Sequence, residues 1–228
     1  MSTDLESVLV IENRPSIHYG SEDYIHLELG GNTAWKEEVL SSSSFVERWM
    51  AEQDKSTLQI IPYIIIYDRI TQEIFCYQRK GGGETRLDGK YSIGIGGHVN
   101  TDDVDTPIDV QYFENDPVTW ETVLNGAARE VSEEVMLDEG YVKDNLQELG
   151  IIYTPTDDGG KTNRPGPLVG EVHIGILYAL PVEYEIATNE DSLVNPQFIQ
   201  YANNVSKYEK WSQLALSKLE EIRKLLKD

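Results

Sequence analysis

The chain has 228 residues, with 40 Asp plus Glu against 19 Lys plus Arg and a formal net charge of −21. That balance excludes binding along a nucleic-acid polymer, whose affinity comes mostly from Lys and Arg. A hydrophobic fraction of 39% with 13 Tyr and 4 Trp marks a globular chain with one well-buried core. Met1–Glu6 lacks the basic start and apolar block of a signal peptide, and no apolar run reaches the roughly 20 residues of a membrane span. The lone Cys76 makes no intramolecular disulfide; with the other two absences this predicts a cytoplasmic protein that does not contact a membrane.

In chain order, Ser7–Ile11 reads as a short strand stopped by Asn13-Arg14-Pro15, followed by a loop-rich stretch. Ser41–Ser44 reads as a solvated linker. Ser44 with Glu47 three residues on reads as a capping box opening a helix through Phe45, Val46, Trp49 and Met50. Gln59–Tyr67 and Glu73–Gln78 are β-rich runs joined by Asp68–Gln72, a hairpin. Cys76 lies in the second run and reads as a buried strand thiol. Gly81-Gly82-Gly83 lacks the Gly-Lys-Ser/Thr ending of a phosphate loop and reads as a flexible connection, while Gly94-x-Gly96-Gly97 fails as a dinucleotide fingerprint. Leu146–Thr154 and Val169–Leu180 are strand-like and flank the turn-rich loop Pro155–Pro167. Ser206-x-x-Glu209 opens an amphipathic helix carrying Tyr208, Trp211, Ala215, Leu219, Ile222 and Leu226, whose apolar face docks on the domain or on the twin subunit of a homodimer.

The chemistry concentrates in Arg129-Glu130-Val131-Ser132-Glu133-Glu134. On a helix, residues three and four apart share a face, so Glu130, Glu133 and Glu134 form one patch of carboxylates that repel each other. A hard divalent cation reverses that sign, takes oxygen ligands and keeps open positions for phosphate. The competing reading is a solvated acidic helix face.

These residues resemble the Nudix box, Gly-x5-Glu-x7-Arg-Glu-U-x-Glu-Glu-x-Gly-U with U aliphatic: Glu121, seven residues, Arg129-Glu130, Val131, Glu133-Glu134 and Leu137. Lys90–Val99 is similar to the strand and Gly-Gly turn leading into the box, and the likeness, closest to the branch labelled predicted phosphoesterases, spans about Gln59 to Pro181. It implies an α/β/α sandwich with a mixed sheet, in a single domain: an N-terminal extension over 1–58, a core over 59–181, and a C-terminal extension with a helix over 182–228. The implied activity is hydrolysis of a diphosphate linkage in a small phosphorylated, nucleotide-like molecule with Mg²⁺ or Mn²⁺. By the resemblance, Glu133 and Glu134 are the principal metal ligands, Glu130 a further ligand or water-orienting base, and the Gly96 carbonyl a neutral ligand. Arg129 and Glu121 pair to hold the helix on the glycine turn, and Arg79 contacts substrate.

For the general base, strand alternation puts Glu171 on one face with His173, and Asp157 and Asp158 are its rivals. His98 and His173 are placed to assist phosphate binding or proton transfer, against an ordinary packed role. Tyr153 lies near where dinucleoside polyphosphate hydrolases carry a Tyr.

The chain departs from the box twice. Residues 98–120, which are 23 positions where the pattern has five, carry several acids and form either a lid or a passive loop. Met136 replaces the glycine that ends the box helix in a left-handed conformation, which moves the expected helix end toward Gly140. Both departures favour the first alternative, a silent ligand-binding or regulatory Nudix-like domain. A second alternative, an isopentenyl-diphosphate-isomerase-like enzyme, calls for a cysteine beside the glycine turn, and Cys76 lies well before it.

Overall fold

A computed structural model describes residues 6–12, 22–27, 33–80, 87–104, 118–157, 166–183, 186–188, 191 and 193–226. The readings made for Gly81–Gly83, Asp158 and most of the 98–120 insertion lie outside the described residues.

The longest apolar run becomes β4 (Leu58–Asp68), and β9 (His173–Val182) lies parallel to it, from Gln59 opposite His173 to Asp68 opposite Val182. Strands buried on both faces read as unbroken apolar sequence, which is how both appear. After β4 the chain turns at Asp68, whose carboxylate accepts the N–H of Ile70 at 2.8 Å and of Thr71 at 2.6 Å, and returns as β5 (Ile74–Arg79). Antiparallel partners extend the sheet on both sides. β10 (Leu193–Ile199) pairs with β5, β8 (Gln147–Tyr153) with β9, and β2 (Tyr24–Leu27) with β8, giving the order β10-β5-β4-β9-β8-β2.

The remaining edge of β4 changes partner halfway. β1 (Ser7–Ile11) pairs with its start, Val10 opposite Gln59, whereas β7 (Gly94–Ile95) pairs with its middle, Ile64 opposite Ile95. Pro62, which has no N–H to offer a ladder, falls in the interval between these two partners. A two-residue β6 (Tyr91–Ser92) pairs with β5, and β3 (Ser43–Glu47) with β1.

Side-chain alternation along β4 builds the two layers. Ile60, Ile64 and Ile66 meet Val123, Ala127, Val131 and Val135 of α3 (Trp120–Val135). Tyr63, Ile65 and Tyr67 meet Ala215 of α5 (Lys210–Ser217) with Leu219 and Ile222 of α6 (Leu219–Leu225). The result is an α/β/α sandwich on a mixed sheet. Each fully buried aliphatic side chain in these layers contributes about 1.5–3 kcal/mol. Cys76 packs in the second layer, its thiol pushed up by burial and donating to the Tyr208 hydroxyl at 3.6 Å, as expected of a strand thiol.

Four expectations are corrected. Ser44-x-x-Glu47 opens no helix, because Phe45 and Val46 pair with Leu9 and Val8 of β1 and the Ser44 hydroxyl donates to Glu12. The helix that follows, α2 (Arg48–Ala51), is one turn. Part of the stretch read as loop forms α1 (Thr33–Ser41). The C-terminal helix begins at Lys210, not Ser206: Glu209 caps it, accepting the N–H of Ser212 at 2.8 Å and of Trp211 at 2.9 Å, and it breaks at Lys218 before α6.

The fourth concerns the end of α3. Met136 itself adopts the left-handed conformation, φ 53° and ψ 30°, with its side chain 63% exposed. Asp138 then caps α4 (Glu139–Asn145), accepting the Tyr141 N–H at 2.9 Å. The tight α3–α4 junction holds Met in a geometry that costs an L-residue about 1 kcal/mol. Met136→Gly is expected to raise stability by roughly that amount, less glycine's greater freedom in the unfolded chain. Urea unfolding checks this, and unchanged or lower stability contradicts a strained junction.

Candidate active site

The glycine turn is pressed between the sheet and α3. A Cβ on Gly96 would lie 2.0 Å from the Pro62 carbonyl oxygen, and one on Gly97 would lie 2.3 Å from the Glu130 carboxylate. Only residues without side chains let the turn after β7 pack between β4 and the box helix at this separation. The turn opens onto a cavity of about 580 Å³, a size suited to a small ligand, whose walls include Glu130, Glu134, Arg79, His98, His173 and Asp157.

Arg129 ties this corner together. Its Nε donates to Asp103 at 2.8 Å and its Nη2 to the other Asp103 oxygen at 3.1 Å, while Nη2 also reaches the His98 carbonyl at 2.9 Å and Nη1 reaches Glu130 at 2.8 Å. Burial opposes the charge, but Asp103 and Glu130 outweigh it and hold the guanidinium above its usual pKa. Asp103 is 4% exposed and also accepts the Asn100 N–H at 2.8 Å, which closes a one-turn 3₁₀ helix at Thr101–Asp103.

The expected Arg129–Glu121 pair is therefore not formed. Glu121 is exposed in the first turn of α3, about two helical turns from Arg129, and Asp103 takes its place. The signal was present: Asp103 stands five intervening residues after Gly97, the spacing of the box glutamate. The extra residues follow Asp103, not Gly97.

The three box carboxylates do not share one environment. Glu130 and Glu134, one helical turn apart, both line the cavity. Glu133 points about 100° from Glu134 around the helix, is 57% exposed, and lies 3.5 Å from Arg129 Nη1. Among the described residues no group of three or more His, Cys, Asp or Glu side chains is close enough to hold a metal ion. Donor chemistry still suits a hard cation at Glu130 and Glu134. Burial raises the Glu130 carboxyl pKa despite Arg129, the state of an anion short of positive charge.

Arg79 ends β5 inside the cavity. Its Nη2 donates to the Tyr77 hydroxyl at 3.3 Å, and its Nε is buried with no hydrogen-bond partner among the described residues. Tyr77 and Glu134 favour its charge against burial. Tyr77, pushed up to about 12 by burial, keeps its proton and donates it to the Gly94 carbonyl at 2.9 Å.

His98 and His173 meet edge to face at 5.6 Å. Burial first, then His173, Arg48 and Arg129, hold His98 well below its usual pKa, so it is neutral at pH 7 and supplies no charge to a phosphate. The Gln59 amide donates to the Val172 carbonyl at 3.4 Å, which leaves its oxygen to accept from His98 Nε2 at 2.9 Å.

Two sequence candidates fall outside the cavity. Glu171 lies in a 3₁₀ turn, Val169–Glu171, before β9 begins, so strand alternation does not reach it. Its carboxylate binds Lys55 at 2.7 Å and caps the Leu168 N–H at 2.8 Å. Tyr153 is a core residue, stacked edge to face on Tyr24 at 5.8 Å, whereas its neighbour Thr154 does line the cavity. Sequence reasoning missed Arg48 and Trp49 of α2, the α5 cap Glu209 and Trp211 of α5, which complete the walls. No local signal marks them.

Removing Asp103 leaves a largely buried guanidinium without its main counter-charge. Asp103→Ala is expected to cost about 3 kcal/mol, the scale of a broken buried pair. Glu121→Ala, which loses only a helix-dipole contact, should cost less than about 1 kcal/mol. Denaturant unfolding of both variants separates the assignments, and a reversed order returns the pairing role to Glu121.

No family model matches the chain. Over 183 residues it is 31% identical to Protein YmaB of Bacillus subtilis (strain 168), an alignment covering 77% of this chain and 77% of YmaB. The fold superposes on the crystal structure of Tm1382, named a candidate Nudix hydrolase, with a TM-score of 0.66 and 25% identity over 95% of this chain and 100% of that one. The glycine turn, the Arg129-Glu130 helix packed against it and this likeness across nearly the whole chain agree: the chain belongs to the Nudix superfamily.

Proposed function

We propose that the chain hydrolyses a diphosphate linkage in a small nucleotide-like molecule, with Mg²⁺ or Mn²⁺ as cofactor. The observation that carries this reading is the joint presence, in one cavity, of the Glu130 and Glu134 carboxylates, the glycine turn and the charged Arg79. Glu130, Glu134 and the Gly96 carbonyl would hold the cation, joined by Glu133 when its side chain turns away from Arg129. When bound, the cation neutralises phosphoryl oxygens and lowers the pKa of water.

In this reading the charged Arg79 guanidinium takes one phosphoryl group and orients the linkage. Asp157 is one of several carboxylates outside the box that line the cavity, and it replaces Glu171 as the candidate base. It would accept a proton from the attacking water as the bridging P–O bond breaks and the leaving phosphate departs as an anion. His98 stays neutral and fixes position rather than charge.

Nucleoside diphosphate derivatives, dinucleoside polyphosphates and nucleoside triphosphates, each supplied with Mg²⁺, test the activity through release of phosphate or monophosphate. Glu130→Gln and Glu134→Gln are each expected to lower kcat/KM by two orders of magnitude or more, on the scale of one lost electrostatic stabiliser. Full metal-dependent turnover in the Glu130→Gln, Glu134→Gln double variant rejects the metal assignment.

A second reading, a ligand-binding Nudix domain without turnover, is favoured by one feature: Glu130 is tied to Arg129, and Glu133, also beside Arg129, is not among the residues that line the cavity. Ligands that raise the melting temperature while no product forms with either cation would select it, since binding stabilises by mass action alone.

A further inference from the structure

The candidate base Asp157 stands on a turn, residues 154–157, that follows β8 and borders the cavity. The Asp157 N–H donates to the Thr154 carbonyl at 2.9 Å and closes the turn on itself. A side chain on such a turn keeps its aim only if the backbone beneath it is fixed from outside. Part of that support comes from the 3₁₀ turn Val169–Glu171: the Gly170 N–H donates to the Asp157 carbonyl at 3.0 Å, and a Cβ on Gly170 would lie 1.6 Å from the Thr154 carbonyl oxygen. Another part comes from α5, where the Trp211 indole N–H donates to the hydroxyl of the buried Thr154 at 2.9 Å.

The exposed part of the turn is held by the N-terminal extension. β2 pairs with β8 as far as Tyr24 opposite Tyr153, which brings Asp23 alongside the turn. Asp23 accepts the Thr156 N–H at 3.2 Å and the Thr156 hydroxyl at 2.7 Å, and binds the Nζ of Lys210, the first residue of α5, at 2.7 Å. Burial pushes the Asp23 carboxyl up, but Lys210 and Thr156 outweigh it and hold it below the usual carboxylate range. One carboxylate thus joins three segments far apart in sequence. Thr156 is exposed and the Asp23–Lys210 pair partly so, and such pairs contribute little to global stability; their effect falls on the turn.

We propose that Asp23 is a positioning residue of the active site: it straps the turn carrying Asp157 to the start of α5, so that the N-terminal extension sets the aim of the candidate base. The catalytic consequence rests on the hydrolase reading; the strap does not. A carboxylate that takes a proton from the attacking water must stay within hydrogen-bond reach of it, and a displacement of about 1 Å costs on the order of a hundredfold in rate. Loss of the strap therefore lowers kcat and leaves substrate binding, which other residues make, in place.

Amide hydrogen exchange and steady-state kinetics on the full chain test this with Asp23→Ala, Thr156→Val and Thr156→Ser. The kinetics use whichever nucleoside diphosphate derivative, dinucleoside polyphosphate or nucleoside triphosphate the wild type hydrolyses fastest with Mg²⁺. Asp23→Ala is expected to speed exchange at Thr156, Asp157 and Gly170 by about tenfold or more, the scale of a hydrogen bond to a charged group, with the amides of β4 and β9 unchanged. Its kcat should fall by about tenfold or more while KM stays within about twofold of the wild type. Thr156→Val, which removes the hydroxyl and keeps the shape, should lower kcat by a smaller factor, and Thr156→Ser should match the wild type. Unchanged exchange at the turn, faster exchange throughout the sheet, or a loosened turn with unchanged kcat overturns the proposal. Should Asp23→Ala fail to fold, the two Thr156 variants decide by the same criteria. A wild type that turns over no diphosphate rejects the hydrolase reading, and exchange confined to the turn then upholds the strap by itself.

Discussion

One guanidinium organises the corner on which the site depends. Arg129 reaches Asp103, Glu130 and the His98 carbonyl at once, so the loop after β7, the glycine turn and the third helix are fixed relative to one another by a single side chain. Burying a charge is costly unless it is both paired and hydrogen-bonded, and here the planar fork is matched by a carboxylate of low exposure. Burial sets the state of Glu130, raising its carboxyl pKa against the pull of its pairing with Arg129. A carboxylate drawn toward Arg129 and stripped of water has one positive partner and is short of another, the place that the proposed cation would take.

The walls of the cavity come from three parts of the chain. The sheet and α3 supply the glycine turn, Glu130, Glu134 and Arg79; α2 supplies Arg48 and Trp49; α5 and its cap supply Trp211 and Glu209. Arg48, held by Glu6 at 2.8 Å and Glu52 at 3.3 Å, brings positive charge to a strongly acidic molecule. A chain of net charge −21 repels long polyanions, yet a small phosphorylated ligand inside the cavity would meet Arg79, which lines it. Burial makes the local field count for more than the distant total.

Much of the fold was legible from pattern. The runs that became β4, β5, β8 and β9 are apolar because they are buried on the central sheet, and the glycine turn with Arg129-Glu130 marked the box helix. Asp103 stands at the box spacing from Gly97 and was legible, but Glu121 drew the reading away because it keeps the seven-residue spacing to Arg129 while lying on the wrong side of the insertion. Glu171 was misread because alternation holds only inside a strand, and the chain is still in a 3₁₀ turn at that point. Ser44 was misread because pairing with β1 overrides a local capping signal. Trp49 and Trp211 carried no local sign, since the tertiary fold alone brings the two ends of the chain to one cavity.

Cys76, the chain's only cysteine, lies beneath the C-terminal helices with its thiol against Tyr208. Tyr208 immediately precedes Glu209, the cap that orients Trp211. A thiol reagent added to the native protein therefore reports on local opening of the C-terminal layer, the same opening that would dismantle one wall of the cavity. Because no other thiol competes, the reaction rate is a single-site clock for that motion, and a ligand that draws the wall inward would slow it.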